Sequence, residues 1–160
     1  MNISKKYIFF AIAIGIIILD RITKILASLY LIDLDHPVRV IQGFFNLIYS
    51  TNRGALFGFM DTLSDPFRFI TLSLFPIVVV VIIVIILLKA GPEEKLLSTG
   101  MALILGGAVG NLTDRFIYGH VIDFLDLYIG RYHWPTFNLA DSFITAGIAM
   151  IFFEMLFKRR

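Results

Sequence analysis

The sequence has no cysteine, which excludes disulfides, thiolate metal sites and a cysteine nucleophile together. Charge is scarce: Asp, Glu, Lys and Arg supply 16% of the 160 residues, against roughly 25% in an ordinary globular domain. There is no HExxH, and His36, His120 and His133 lack ligand spacing, so no metal site is expected. The net charge is only +2. With no basic tract interleaved with aromatics, nucleic acid is not an expected partner. No repeat, low-complexity tract or linker divides the chain, so residues 1–160 read as one domain.

What the sequence has in excess is apolar residues, 58% of the chain against roughly 45–50% in soluble domains. Mean hydropathy is +0.86. The apolar residues come in runs; Pro76–Leu88 is free of charge throughout. A bilayer core needs about 20 helical residues, and four segments qualify: about 7–31, 67–88, 96–116 and 141–157. The first follows Lys5 and Lys6 as a signal peptide would. It lacks a small-residue cleavage site and carries Asp20, Arg21 and Lys24 at its far end, so it reads as a true span.

The fold class expected is an all-α membrane protein of four transmembrane helices. A small β platform on the outer surface, between helices 1 and 2, comes from the strand-like Val38–Ser50 ended by Thr51-Asn52-Arg53-Gly54. Tyr128, Tyr132 and Trp134 suit an interfacial aromatic belt. Basic residues divide seven against seven between the two sides, but Lys5, Lys6, Lys89, Lys95, Lys158, Arg159 and Arg160, on the side that holds both termini, sit in short flanks and include five of the six lysines. Both termini are therefore expected in the cytoplasm.

Charged groups inside a bilayer cost about 2.5–3.5 kcal/mol each on insertion scales, so their placement carries information. Asp20, Asp114, Asp123, Asp126 and Asp141 gather toward the outer ends of the spans, which points to a shared site at that depth. Asp20 and Lys24 are spaced for an ion pair on one helix face; the pair is either a structural neutralisation or a scaffold for other site residues. Gly107, Asn111 and Arg115 fall on one face of the third span, with Asp114 beside them. The glycines suit close helix packing, while the amide and guanidinium suit binding. Two carboxyls brought together in a dry site share a proton, and such a pair can work as base and acid. Asp123 and Asp141 could be that pair, or a solvated loop acid and a helix N-cap. Lys24 and Ser28 are spaced like a serine–lysine dyad, although Lys24 already has Asp20 as a partner.

Five stretches together resemble the lipoprotein signal peptidases, the type II signal peptidases of bacterial plasma membranes. They are Asp20-Arg-Ile-Thr-Lys24, Asn52-Arg-Gly-Ala-Leu-Phe-Gly58, Gly106-Gly-Ala-Val-Gly-Asn-Leu-Thr-Asp-Arg115, Val121-Ile-Asp-Phe124 and Phe137-Asn-Leu-Ala-Asp-Ser142. Their order and the four-span layout match the family; Arg21 and Leu56 are small departures. The resemblance implies an aspartyl endopeptidase with no metal or cofactor. Its substrate would be a prolipoprotein whose future N-terminal cysteine carries a diacylglyceryl group, cut just before that cysteine. By family position Asp123 and Asp141 are catalytic. One acts as base toward water while the other protonates the carbonyl oxygen and the leaving amine. Asn52, Gly54, Asn111, Arg115, Asn138 and Ala140 line the substrate cleft, and Asp20, Lys24 and Asp114 support it. The resemblance further implies a multi-pass protein of the bacterial plasma membrane, with its site near the extracytoplasmic face, in contact with membrane lipid and working as a monomer. The competing classes are a small transporter, disfavoured because the acids gather at one face and no repeat is present, and a lipid-phosphate transferase, which would need a run of metal-binding acids on one helix.

Overall fold

The computed structural model describes residues 3–53, 70–91 and 93–157. Helix α1 spans Ile3–Leu31, and strands β1 and β2 follow at Val38–Ile41 and Phe45–Asn52. A π-helical turn, Ile70–Leu74, leads into α2, Phe75–Lys89. Helix α3 is Lys95–Tyr118, β3 Val121–Ile129, β4 Tyr132–His133 and α4 Leu139–Phe157. Among the described residues, three helical segments are long and apolar enough to cross a membrane: Ile70–Lys89, Lys95–Tyr118 and Leu139–Phe157. Residues 67–69 of the expected second span, and the basic residues 158–160, lie outside the described residues.

The protein is apolar outside and carries a polar, charged layer within its interior. Exposed positions on α1, α2 and α4 include Ile14, Ile18, Ile25, Val78, Val81, Ile85, Phe152 and Phe153. Fully buried side chains include Lys24, Asp20, Asp114, Asp123 and Asn138. In water so much exposed apolar surface would drive association; against lipid it is the favourable face. The interior is layered. Phe9, Ala13, Ile83, Leu87, Ala102 and Leu105 form one apolar cluster. Ala27, Leu31 and Phe124, packed with Leu47, Tyr49, Leu125 and Leu139, form a second beneath the sheet. The buried charges of α1 lie, along that helix, between the residues of the two clusters.

The sheet corrects one expectation. It is four antiparallel strands in the order β1-β2-β3-β4, so the loop between α1 and α2 supplies only half of it. The other half comes from the segment joining α3 to α4. The register pairs Asn52 with Val121 and Ser50 with Asp123, then slips so that Leu47 pairs with Leu125 and Asn46 with Asp126. The extra residue on β2 is a bulge, which bends and twists the strand beside the residues of interest. At the far end, Asn46 Nδ2 donates to Asp126 Oδ2 at 2.9 Å, and His133 Nδ1 lies 2.7 Å from Asp126 Oδ1.

Glycine brings the helices close enough for their polar groups to meet. A Cβ at Gly107 would strike the carbonyl oxygen of Ala140 in the first turn of α4, and one at Gly110 would lie 2.6 Å from Asp20 Oδ2. Helix α3 ends at Gly119, whose φ of 73° suits a residue without Cβ and whose N–H returns to Arg115 O at 3.0 Å. The chain can then turn directly into β3. Gly107→Ala should lower the melting temperature in detergent, because overpacking costs about 1–3 kcal/mol. Gly15→Ala is the control: nothing lies within 4 Å of its Cβ position, and alanine favours the helix by about 1 kcal/mol. Equal melting of the two variants would show that the Gly107 contact is not close in solution.

Candidate active site

The site is built outward from a buried ammonium. Lys24 is 0% exposed, and its Nζ has three hydrogens to place. It meets Asp20 Oδ2 at 2.8 Å, Asp114 Oδ2 at 2.9 Å and Asn111 Oδ1 at 2.9 Å. The i, i+4 spacing on α1 supplies the first acceptor, and one face of α3 supplies the other two. Arg21 Nη1 bonds the remaining oxygen of Asp114 at 2.9 Å, while its guanidinium contacts the Tyr118 hydroxyl and ring. Two cations thus neutralise two anions within α1 and α3. Asp20 Oδ1 accepts the N–H of Ala140 at 3.0 Å, and Asp114 Oδ2 that of Ile122 at 3.3 Å. The ion cluster therefore touches the first turn of α4 and the residue just before Asp123.

Strand β3 carries one carboxyl, Asp123, and through a backbone bridge positions the start of α4, which carries the other, Asp141. Asp123 lies on the strand itself. Beyond β4 the chain returns, and Phe137 exchanges backbone hydrogen bonds with Leu125 at 2.9 and 3.1 Å. That bridge sets Asn138 beside Asp123, and Asn138 caps α4. Its Oδ1 accepts the N–H of Asp141 at 3.0 Å, while Asp141 Oδ2 accepts the N–H of Asn138 at 3.2 Å. This reciprocal arrangement is a capping box with an acid at its third helical position. Asn138 Nδ2 also donates to Asp123 Oδ1 at 2.7 Å and to Asn111 Oδ1 at 3.1 Å. Asn111 Nδ2 donates to Asp141 Oδ1 at 2.7 Å, and Asn52 Nδ2 to Asp123 Oδ2 at 3.0 Å.

Of the residues singled out in the sequence, the structure gathers Asp20, Lys24, Asn52, Asn111, Asp114, Asp123, Asn138, Ala140 and Asp141 into one hydrogen-bonded network. Gly54 lies outside the described residues. Ala140 is fully buried, with its N–H on Asp20 and its carbonyl against Gly107. Asp141 is not itself the N-cap of α4: Asn138 holds that position, and Asp141, at the third helical position, accepts the Asn138 N–H. The Arg115 side chain makes no hydrogen bond or ion pair among the described residues, although its charge acts on Asp141, Asp123 and Asp114. Ser28 Oγ donates to the Lys24 carbonyl at 2.9 Å, not to its ammonium, so the pair is no serine–lysine dyad. The sequence reading missed Arg21 as the second cation on Asp114. It also missed β3, whose signal was present in the β-branched and aromatic run from Val121.

The fold is shared with solved proteins described as bacterial membrane enzymes. One superposes with a TM-score of 0.82 at 27% identity, covering 99% of this chain and 97% of the other. A second gives 0.79 at 29% identity, covering 98% and 90%. The family model for signal peptidase (SPase) II matches residues 12–157, and the chain belongs to that family. A lipoprotein signal peptidase of Syntrophus aciditrophicus is 38% identical over 98% of both chains. One from a Sulfurihydrogenibium species is 42% identical over 98% of this chain and 96% of its own.

Asp123 is nearly inaccessible, and burial pushes its carboxyl from the usual 3.8 up to about 6. The hydrogen bond from Asn52 pulls it back, the charge of Asp141 raises it further, and Asn138 and Lys24 lower it. Between these two pH values the folded protein holds a proton that the unfolded chain has released, so stability falls as pH rises through that window. Above pH 6 the ionised carboxylate costs on the order of 2–3 kcal/mol. Asn bears no charge. Asp123→Asn should therefore melt above the native protein at pH 8, by a margin that shrinks as the pH falls toward 4. Thermal unfolding in detergent across pH 4.5–8 measures this; an earlier melt of the variant at pH 8 would refute it.

Proposed function

We propose that this protein removes the signal peptide from diacylglyceryl-modified prolipoproteins, cutting just before the lipidated cysteine as an aspartyl endopeptidase. The observation that carries the reading is the pair of carboxyls, Asp123 and Asp141, held through the amides of Asn138 and Asn111 in the sheet-bearing part of an otherwise lipid-facing bundle. The relatives' name, lipoprotein signal peptidase, agrees with it.

In this reading Asp123 holds the shared proton and Asp141 is ionised. Asp141 takes a proton from water as the oxygen attacks the scissile carbonyl carbon. Asp123 gives its proton to the carbonyl oxygen, forming a tetrahedral gem-diol. On collapse Asp141 protonates the leaving amine, the C–N bond breaks, and a gem-diol hydroxyl returns its proton to Asp123. With one proton on the pair and Arg115 beside it, the catalytic half of the cluster is neutral, as the Lys24 half already is. Arg115 keeps its donors for substrate carbonyls, together with Gly54; Asn111 and Asn138, whose amides are engaged within the network, hold the dyad.

The test is a purified enzyme in detergent given a lipidated prolipoprotein and its unlipidated twin. The lipidated form should be cut and the twin left intact. Asp123→Asn and Asp141→Asn should each lose activity by at least about a hundredfold while remaining folded. Robust turnover by either variant would remove that residue from the pair, and equal cleavage of both substrates would refute the specificity.

The same reading gives α1 as a fourth span, both termini in the cytoplasm and the site near the outer face of the bacterial plasma membrane, in a protein that works as a monomer. The lysine distribution supports it. Reporter fusions at Glu94 and Arg160 should score inside and a fusion at Asp61 outside; an outside score at Arg160 would break the four-span arrangement.

A further inference from the structure

Among the described residues three side-chain amides touch the carboxyl pair, and two of them are locked in orientation. Asn138 donates to both Asp123 Oδ1 and Asn111 Oδ1 and accepts from the Asp141 N–H. Turned over, it would set oxygen against oxygen twice and N–H against N–H once. Asn111 accepts from Lys24 Nζ and Asn138 while donating to Asp141. Turned over, it would press its NH₂ on an ammonium. Asn52 differs: its side chain has one hydrogen bond among the described residues, Nδ2 to Asp123 Oδ2 at 3.0 Å. It is also only partly buried, as the last residue of β2, opposite Val121.

An aspartate that cycles between ionised and protonated needs a neighbour able to serve both forms. The ionised carboxylate only accepts hydrogen bonds, whereas the protonated acid must also donate one. Asp123 Oδ1 faces a donor that cannot turn, so the proton belongs on Oδ2. There it meets Asn52, the one amide of the three that, among the described residues, has a single bond to break on reversing.

We propose that Asn52 is the positioning residue for the dyad's proton, its amide reversing as Asp123 gains and loses that proton at Oδ2. Nδ2 donates to the ionised carboxylate, and Oδ1 accepts from the protonated acid until a substrate carbonyl takes its place. The cycle needs no further reactant. Asp123 releases its proton to the carbonyl oxygen, Asn52 turns to donate, and the proton comes back when the gem-diol collapses. The inference rests on the aspartyl reading above. The charged groups acting on Asp123 are Lys24 of α1, Arg115 of α3 and Asp141 of α4. Lys24 and Arg115 can only donate, and Asp141, ionised while Asp123 holds the proton, can then only accept; Asn52 can do both at that stage.

The experiment measures kcat and KM for a lipidated prolipoprotein peptide across pH 4.5–8.5 with the full chain carrying Asn52→Leu or Asn52→Asp. In the native enzyme kcat/KM should fall above about pH 6, where Asp123 loses its proton. Asn52→Leu cannot donate or accept; it should lower kcat about ten- to a hundredfold, leave KM nearly unchanged and move the falling limb to higher pH. Asn52→Asp keeps the shape but only accepts when ionised, so it should move the limb further still. A raised KM with kcat and the pH limb unmoved would make Asn52 a substrate contact and overturn the proposal. Should the leucine variant not fold, an unmoved limb in Asn52→Asp would overturn it equally. Asp123→Asn is assayed alongside: if that variant turns over, the aspartyl reading itself has failed, an outcome distinct from any result at Asn52.

Discussion

A lysine ammonium out of reach of water imposes the central constraint on this protein. Desolvating such a charge costs several kcal/mol unless every hydrogen finds an acceptor and a counter-charge stands beside it. Lys24 satisfies that demand with Asp20, Asp114 and Asn111, and in doing so fastens α1 to α3 at a defined depth. Each acceptor then carries the order outward. Asp20 holds the N-terminal turn of α4, Asp114 holds the backbone just before Asp123, and Asn111 holds both Asn138 and Asp141. A helix-spaced ion pair thus sets the position of two carboxyls that Lys24 does not touch.

Lipid is what makes such a polar interior workable. Helices surrounded by hydrocarbon gain little from burying more hydrocarbon, so contact between them comes from close packing and from polar groups that have no better partner. The glycines of α3 serve the first requirement. Gly107 lets the backbone of Ala140 approach, and Gly110 leaves room for the Asp20 carboxylate. The ion cluster serves the second. An alanine at either glycine would separate the groups whose mutual satisfaction makes their burial tolerable.

The carboxyl pair is asymmetric because its two members come from different kinds of structure. Asp141 lies in the first turn of a helix and accepts the backbone N–H of Asn138. Asp123 lies on a buried strand and faces side-chain amides, and burial makes its proton hard to remove. Stability and chemistry therefore pull against each other at Asp123: the group that destabilises the fold when ionised is the one whose proton the proposed reaction needs.

Periodicity and composition were enough to show a chain for lipid, with acids gathered toward one end of its spans, since bilayer thickness and charge cost act on local sequence. Helical spacing disclosed the Asp20–Lys24 pair and the Gly107–Asn111–Arg115 face, because contacts three or four residues apart lie within one element. The five motifs pointed to the family and to most of the residues that the fold joins in one hydrogen-bonded network. Other features depended on contacts between residues far apart in the chain. The sheet takes strands from two separate loops, because β2 finds its partner in β3 some seventy residues later. Arg21, not Arg115, joins Lys24 on Asp114, because the crossing of α1 and α3 decides which cation reaches it. The locked and the reversible amides are told apart only by their partners in space. Spacing along one strand or helix cannot encode which oxygen of a carboxylate a distant asparagine will meet.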